Sequence, residues 1–205
     1  MLVAAPRGRA SSPHFDVDVL IEGLSIGWRS ETAAMEEVTS IWSGYGVDVR
    51  RVRHADGGRS GAFRLAVVIA ERPGRDASAG ALGSIRFVDN APEPVIVMYR
   101  SAVATLVSSA ALMDRGLQGW PADVQELMVG RAFGRALAHE IGHFLLRSKG
   151  HAPAGLMRAR HEVADLIGPR RTAFLLSGRQ VDRLVTARPA GASEIARATH
   201  PSSDR

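Results

Sequence analysis

Hydrophobic and polar residues alternate along 15–21 before the run turns wholly apolar, a pattern that predicts a β-strand lying on a core. Glycines at 23 and 27 mark a loop. A helical period follows, in which Met35, Val38, Ile41 and Trp42 share one face. Ser30 is its expected cap, Glu31 lies in its first turn, and Gly44-Tyr45-Gly46 is its stop. Residues 47–52 predict a second strand with one polar face. After the turn signal Asp56-Gly57-Gly58, residues 63–70 are strongly apolar and read as a third strand buried on both faces. Short strands are expected at 84–88 and 94–99, with Asp89-Asn90 and two prolines as a loop between them.

A mostly apolar helix is expected at 101–113. Pro121 then suits the first turn of a long helix, where Asp123 and Glu126 favour the positive end of the dipole. Residues 158–171 read as loop with one helical turn. Residues 180–187 read as a last amphipathic helix, capped by Ser177, with Val181, Leu184 and Val185 on its face. The order predicts an α+β (α/β-like) fold: a twisted mixed sheet of four to five strands packed on helices. The 205 residues suit a single domain at 14–187. The small and polar stretches at 1–13 and 188–205 are expected to be disordered tails.

Composition narrows the chemistry. There is no cysteine, so a metal would have to be held by His, Asp or Glu. The net charge is +5, but Lys149 is the only lysine and the arginines are scattered without interleaved aromatics. No nucleic-acid partner is therefore expected. No stretch approaches the ~18 apolar residues of a membrane helix, and the apolar run 2–5 is too short for a signal-peptide core. No membrane partner is expected, and localisation stays open between the bacterial cytoplasm and export from a longer N-terminus.

The long helix carries His139-Glu140-Ile141-Gly142-His143. On a helix, residues four apart stack on one face, so both imidazoles can reach a single ion. Phe133, Leu137, Ile141 and Phe144 read as the core stripe. The histidines fall roughly opposite, with small Ala132 and Ala136 beside them, as a cleft requires. The residues leave the third ligand open. His151 follows the helix, while His161 and Glu162 compete from further on; the Glu162 spacing is near that of thermolysin-like peptidases. Isolated His14, His54 and His200 read as solvated.

From His139 to Met157 the chain resembles the metzincin zinc peptidases, in which His-Glu-x-x-His-x-x-Gly-x-x-His precedes a tight turn with methionine under the metal. The resemblance implies one zinc ion held by His139, His143 and His151, Glu140 as general base, and Met157 in the turn. Leu146 stands where the class has glycine, Lys149 where it has the third histidine, and His151 comes two residues late. Gly150 is expected to supply the left-handed exit from a longer helix. The class further implies a zincin-type catalytic domain that acts as a monomeric endopeptidase on peptide or protein substrates. In it an edge strand, here 84–88, binds the substrate backbone, and a tyrosine such as Tyr45 or Tyr99 can serve an oxyanion. A thermolysin-like site with Glu162, and a zinc-binding pseudo-peptidase, stand as alternatives.

Overall fold

The computed structural model describes residues 15–186 apart from positions 55, 57, 60, 113, 114, 117 and 118. The expected tails, with His14 and His200, lie outside the described residues. In chain order the elements are β1 (Phe15–Gly23), α1 (Trp28–Ser43), β2 (Val47–Val52), β3 (Phe63–Ala70), β4 (Gly83–Val88), β5 (Ala91–Tyr99) and α2 (Arg100–Ser108). A two-strand ribbon, β6 (Ala111–Leu112) and β7 (Arg115–Gly116), leads to α3 (Ala122–Leu145), α4 (Val163–Ile167) and α5 (Gly178–Thr186).

The main sheet has the order β2-β1-β3-β5-β4. Strands β1, β2, β3 and β5 are parallel, and β4 runs antiparallel along the edge. The mixed five-stranded sheet packed on helices is the α+β fold that the hydrophobic pattern predicts. Inward residues Val17 and Val19, Val47 and Val49, Leu65, Val67 and Ile69, and Ile96 and Met98 form the sheet side of one core. On β3 the intervening residues are exposed or half-buried, so the expectation of burial on both faces is corrected: one face meets the helices. The other face bears a polar cluster. There the Arg59 guanidinium reaches Asp16 at 2.6 Å, Asp18 at 3.0 Å, and Asp48. Burial alone would raise the Asp18 pKa, but hydrogen bonds from the Arg59 backbone and from the Arg50 and Arg59 side chains hold it below the usual value.

Strand β5 begins earlier than expected. Asp89 and Asn90 both take positive φ, 49° and 63°, and close a tight β4–β5 hairpin in place of a loop. Pro92 and Pro94 are tolerated in β5 because its ladder with β3 starts only at Val95. Helix α2 stops at Ser108, short of the expected 113. At α1 the N-cap position is held by Gly27, not Ser30. The Ser30 hydroxyl instead donates to the Glu126 carbonyl on α3 at 3.0 Å.

That bond marks where α1 and α3 touch. A Cβ on Gly130 would lie 2.6 Å from the Ser30 carbonyl oxygen, and one on Gly134 would lie 2.4 Å from that of Ala34. The two glycines, one turn apart, bring the helix backbones into contact. This presses α3 into the centre of the domain. Every residue from 132 to 143 is buried. The expected helix with one open face is thus corrected to a helix enclosed on all sides, with the half-buried Phe144 edge-on to Phe63.

Gly134→Ala should therefore destabilise the fold by ~3 kcal/mol, the upper part of the range for overpacking, because a backbone carbonyl cannot rotate away. Gly44→Ala meets nothing within 4 Å. It should be neutral or stabilising by ~0.5 kcal/mol. Urea unfolding of both variants checks this; equal effects would show that the α1–α3 approach is looser than described.

Candidate metal centre

Helix α3 ends in a way that sets the whole site. The Ser148 N–H donates to the His143 carbonyl and the Arg147 N–H to that of Phe144, both at 3.2 Å. With Arg147 at φ 48°, this is a Schellman motif carrying arginine where glycine is usual. The exit expected at Gly150 therefore lies at Arg147, and Gly150 is not left-handed. Relative to the metzincin spacing, helix and loop each gain one residue, which together account for the late His151.

The chain then returns beneath the helix. Gly155, at φ 79°, packs so closely that a Cβ would lie 2.2 Å from the Leu175 carbonyl oxygen. The Leu156 N–H donates to that same oxygen at 2.9 Å, and Arg158 N–H closes the turn on Gly155 at 3.0 Å. This seats Met157, 1% exposed, against α3. Gly142 makes room for it: a Cβ there would meet the Met157 sulfur at 2.3 Å.

The two folded-back strands of loop supply the acceptors that orient the imidazoles. His139 Nδ1 donates to the Leu156 carbonyl at 2.7 Å, and His143 Nδ1 to the Ser148 carbonyl at 2.5 Å. A carbonyl only accepts, so each Nδ1 carries the proton and each Nε2 presents a bare lone pair. Those two Nε2 atoms lie 3.1 Å apart. Two lone pairs cannot hydrogen-bond to each other, and a cation between them satisfies both. The separation is close to the ~3.3 Å between nitrogens of a tetrahedral site with metal bonds of ~2.0 Å. His151 stacks over His139 at 5.3 Å and stands edge-on to His143 at 5.0 Å. One ring nitrogen from each of the three histidines falls within 4.8 Å of the others. The donor set fits zinc.

Electrostatics agree. Burial lowers the His139 pKa to about 3, further depressed by the neighbouring imidazoles and only partly opposed by the Leu156 bond. Burial lowers that of His143 too. Both rings are thereby held neutral, the form that binds metal. Glu140 lies 8% exposed, and burial raises its pKa to about 7. A Cβ on Gly83, at the start of edge strand β4, would touch its Cγ at 3.2 Å, so this strand passes directly over the carboxyl.

Of the competing residues, Glu162 points away, and His161 stands edge-on to His139 at 6.1 Å but with its Nε2 turned to a backbone carbonyl. Glu162 has a 75% exposed side chain, stands at the N-cap of α4 and faces Arg158 at 3.6 Å. His161 stacks on Phe174 with centroids 4.6 Å apart and donates from Nε2 to the Leu156 carbonyl at 3.3 Å. Tyr99 hydroxyl meets Ser84 Oγ at 2.7 Å, and Tyr45 accepts from the Leu176 N–H at 2.7 Å. Exposed His54 pairs with Glu22 at 2.6 Å.

Sequence reasoning missed the role of four supporting residues. Gly142 was legible only as a small residue inside the motif. Buried Arg135 donates to Glu37 at 3.0 Å and to the Asp165 carbonyl, and lies over the Phe174 ring. Arg171 reaches the same Glu37 at 2.8 and 3.0 Å, tying the segment after the site to α1. Trp42 Nε1 donates to the Ala138 carbonyl, one residue before His139, at 3.2 Å.

Comparison with solved structures finds archaemetzincin from Methanopyrus kandleri, at TM-score 0.53 and 15% identity over 88% of this chain and 98% of that one. The fold is therefore that of archaemetzincin, in agreement with the metzincin resemblance of the sequence. No protein-family model matches the chain, and no curated protein does.

The buried carboxyl makes a pH prediction for the metal-free protein. Between about pH 4.5 and 7, native Glu140 keeps a proton that the unfolded chain has lost. The native state then binds more protons, and stability falls as pH rises through that window. His139 acts oppositely, adding stability from about pH 3 to 6.5 because there the unfolded chain binds the proton. Glu140→Gln removes only the first contribution. Its stability advantage over the parent should grow by on the order of 3 kcal/mol between pH 4.5 and 7. A pH-independent difference in denaturant titrations would contradict the buried-carboxyl environment.

Proposed function

We propose that the protein is a zinc-dependent endopeptidase acting on peptides or proteins, with His139, His143 and His151 as the ligands of one zinc ion. The reading is carried by the two bare Nε2 atoms converging beside a buried carboxyl, in an archaemetzincin fold. Zinc bound there would supply a Lewis acid for the substrate carbonyl and a lowered pKa for water.

The chain's own groups would do the rest. Glu140 accepts a proton from the attacking water at a carboxylate oxygen and returns it to the leaving amine. Burial, which raises the carboxyl in the metal-free protein, favours a group that can hold the proton before returning it. Strand β4, which among the described residues has no neighbour on its outer side in the sheet, offers free backbone groups to an extended substrate lying over Glu140. Gly83, where a Cβ would lie 2.6 Å from the Met98 sulfur, lets the strand pack close to Glu140. Met157 gives the imidazoles a rigid apolar floor.

Glu162, exposed and paired with Arg158, favours no second ligand set. The intact, buried Glu140 likewise favours catalysis over a metal-binding pseudo-peptidase.

Two outcomes follow. Glu140→Gln should retain zinc while peptide hydrolysis drops by ~10²–10⁴, the span of general base catalysis; undiminished turnover would remove Glu140 from the reaction. His151→Ala should lower zinc affinity by at least ~10²-fold, in keeping with the loss of a ligand rather than of a supporting residue, while Glu162→Ala leaves it nearly unchanged. Competition against a chelator of known affinity measures both, and the reverse order would install the thermolysin-like arrangement.

A further inference from the structure

A cavity of about 220 Å³ opens beside the metal centre, between the 146–151 loop and α5. Leu146 and Met157 give it an apolar side, and His151 belongs both to it and to the histidine cluster. Its other wall is Arg179, Gln180 and Arg183. The volume is below the ~300–1,000 Å³ of pockets for drug-sized ligands and suits a single side chain.

The charge around this cavity is unbalanced. Arg179 and Arg183 lie one turn apart on α5, a like-charge spacing that destabilises a helix unless something anionic lies between. Among the described residues, neither has a carboxylate within ion-pair distance, Asp182 included. Arg183 is not loose, since its Nη2 donates to the Arg147 carbonyl at 3.2 Å. Gln180 spends its amide oxygen on the Ser177 N–H at 2.8 Å, so its NH2 remains a donor. Lys149, on the same loop, contacts only the Asn90 amide oxygen and the Phe87 ring. By contrast, Arg158 is matched by Glu162 and Asp165, and Arg86 by Glu93. Two arginines without a carboxylate partner among the described residues, and a glutamine with a free donor, line a space that His151 also lines.

We infer that this cavity is a specificity pocket that takes a carboxylate of the substrate, either an Asp or Glu side chain or a free C-terminus. The inference rests on the peptidase reading for its context, but it can be tested by binding alone.

Zinc-loaded Glu140→Gln protein would be titrated with one peptide series, differing only in Glu, Gln or Lys at a single scanned position, each with a free or an amidated C-terminus. At one position Glu should bind about tenfold more tightly than Gln, the worth of a charge-assisted hydrogen bond. If the preference instead follows the free C-terminus, the carboxylate is that of the main chain. Arg179→Ala combined with Arg183→Ala should bring the Glu:Gln ratio to about one, and Arg183→Glu should shift it toward Lys. Equal affinities for all charged and amidated forms, or a Glu preference untouched by the arginine variants, would overturn the pocket. Turnover by the parent enzyme is scored separately: hydrolysis without the preference sinks the pocket alone, and the preference without hydrolysis sinks the peptidase reading alone.

Discussion

Helix α3 carries two imidazoles and a carboxyl through the middle of a hydrophobic core, and burying those groups is the constraint on which the rest of the molecule depends. Unpaired polar groups in such a place cost several kcal/mol each. The Leu156 and Ser148 carbonyls relieve two of them by accepting from the Nδ1 atoms. Both carbonyls come from chain that follows the helix, so the helix cannot be buried in this way until that chain has folded back. The same two bonds fix the tautomers and turn the remaining lone pairs toward each other. Stability and metal affinity are therefore produced by one set of contacts.

The approach of α1 completes the enclosure. Gly130 and Gly134 remove the side chains that would hold the helices apart, and Trp42 closes the space behind His139 with a bond to the Ala138 carbonyl. A buried Glu37 gathers Arg135 and Arg171, and Arg135 also lies over Phe174, whose ring supports His161. This ion cluster, which begins one turn before His139 on α3, bears on the imidazoles because His161 and His139 share the Leu156 carbonyl.

Much of this was legible in the sequence where one residue type answers to one physical demand. The strand at 47–52 followed from its one polar face after Gly46, that at 63–70 from a strongly apolar run, and His139, Glu140 and His143 from their spacing on a helix. Periodicity failed where tertiary contact overrode it. Ser30 looks like a cap by type, yet its hydroxyl is taken by a carbonyl of α3, which no local pattern reveals. The stripe of Phe133, Leu137 and Ile141 described one side of a helix that is covered on every side, because small residues on the remaining faces are covered by backbone instead of by side chains. Pro92 and Pro94 suggested a loop, since nothing local says that β5 extends past its neighbour β3. Arg135 reads as one more surface arginine until Glu37 is brought to it across 98 intervening steps of the chain.

Arg147 in the left-handed conformation has a consequence for how such sites change over time. Lengthening a helix by one residue swings everything after it through ~100°. The extra residue in α3 and the extra residue before His151 are therefore not two independent departures from the metzincin spacing. Both fall before His151, and the chain still brings that imidazole nitrogen within 4.8 Å of the other two. What lineages of such proteins would have to preserve is the direction in which the chain leaves the helix, and a count of residues between histidines is only the shadow of that direction.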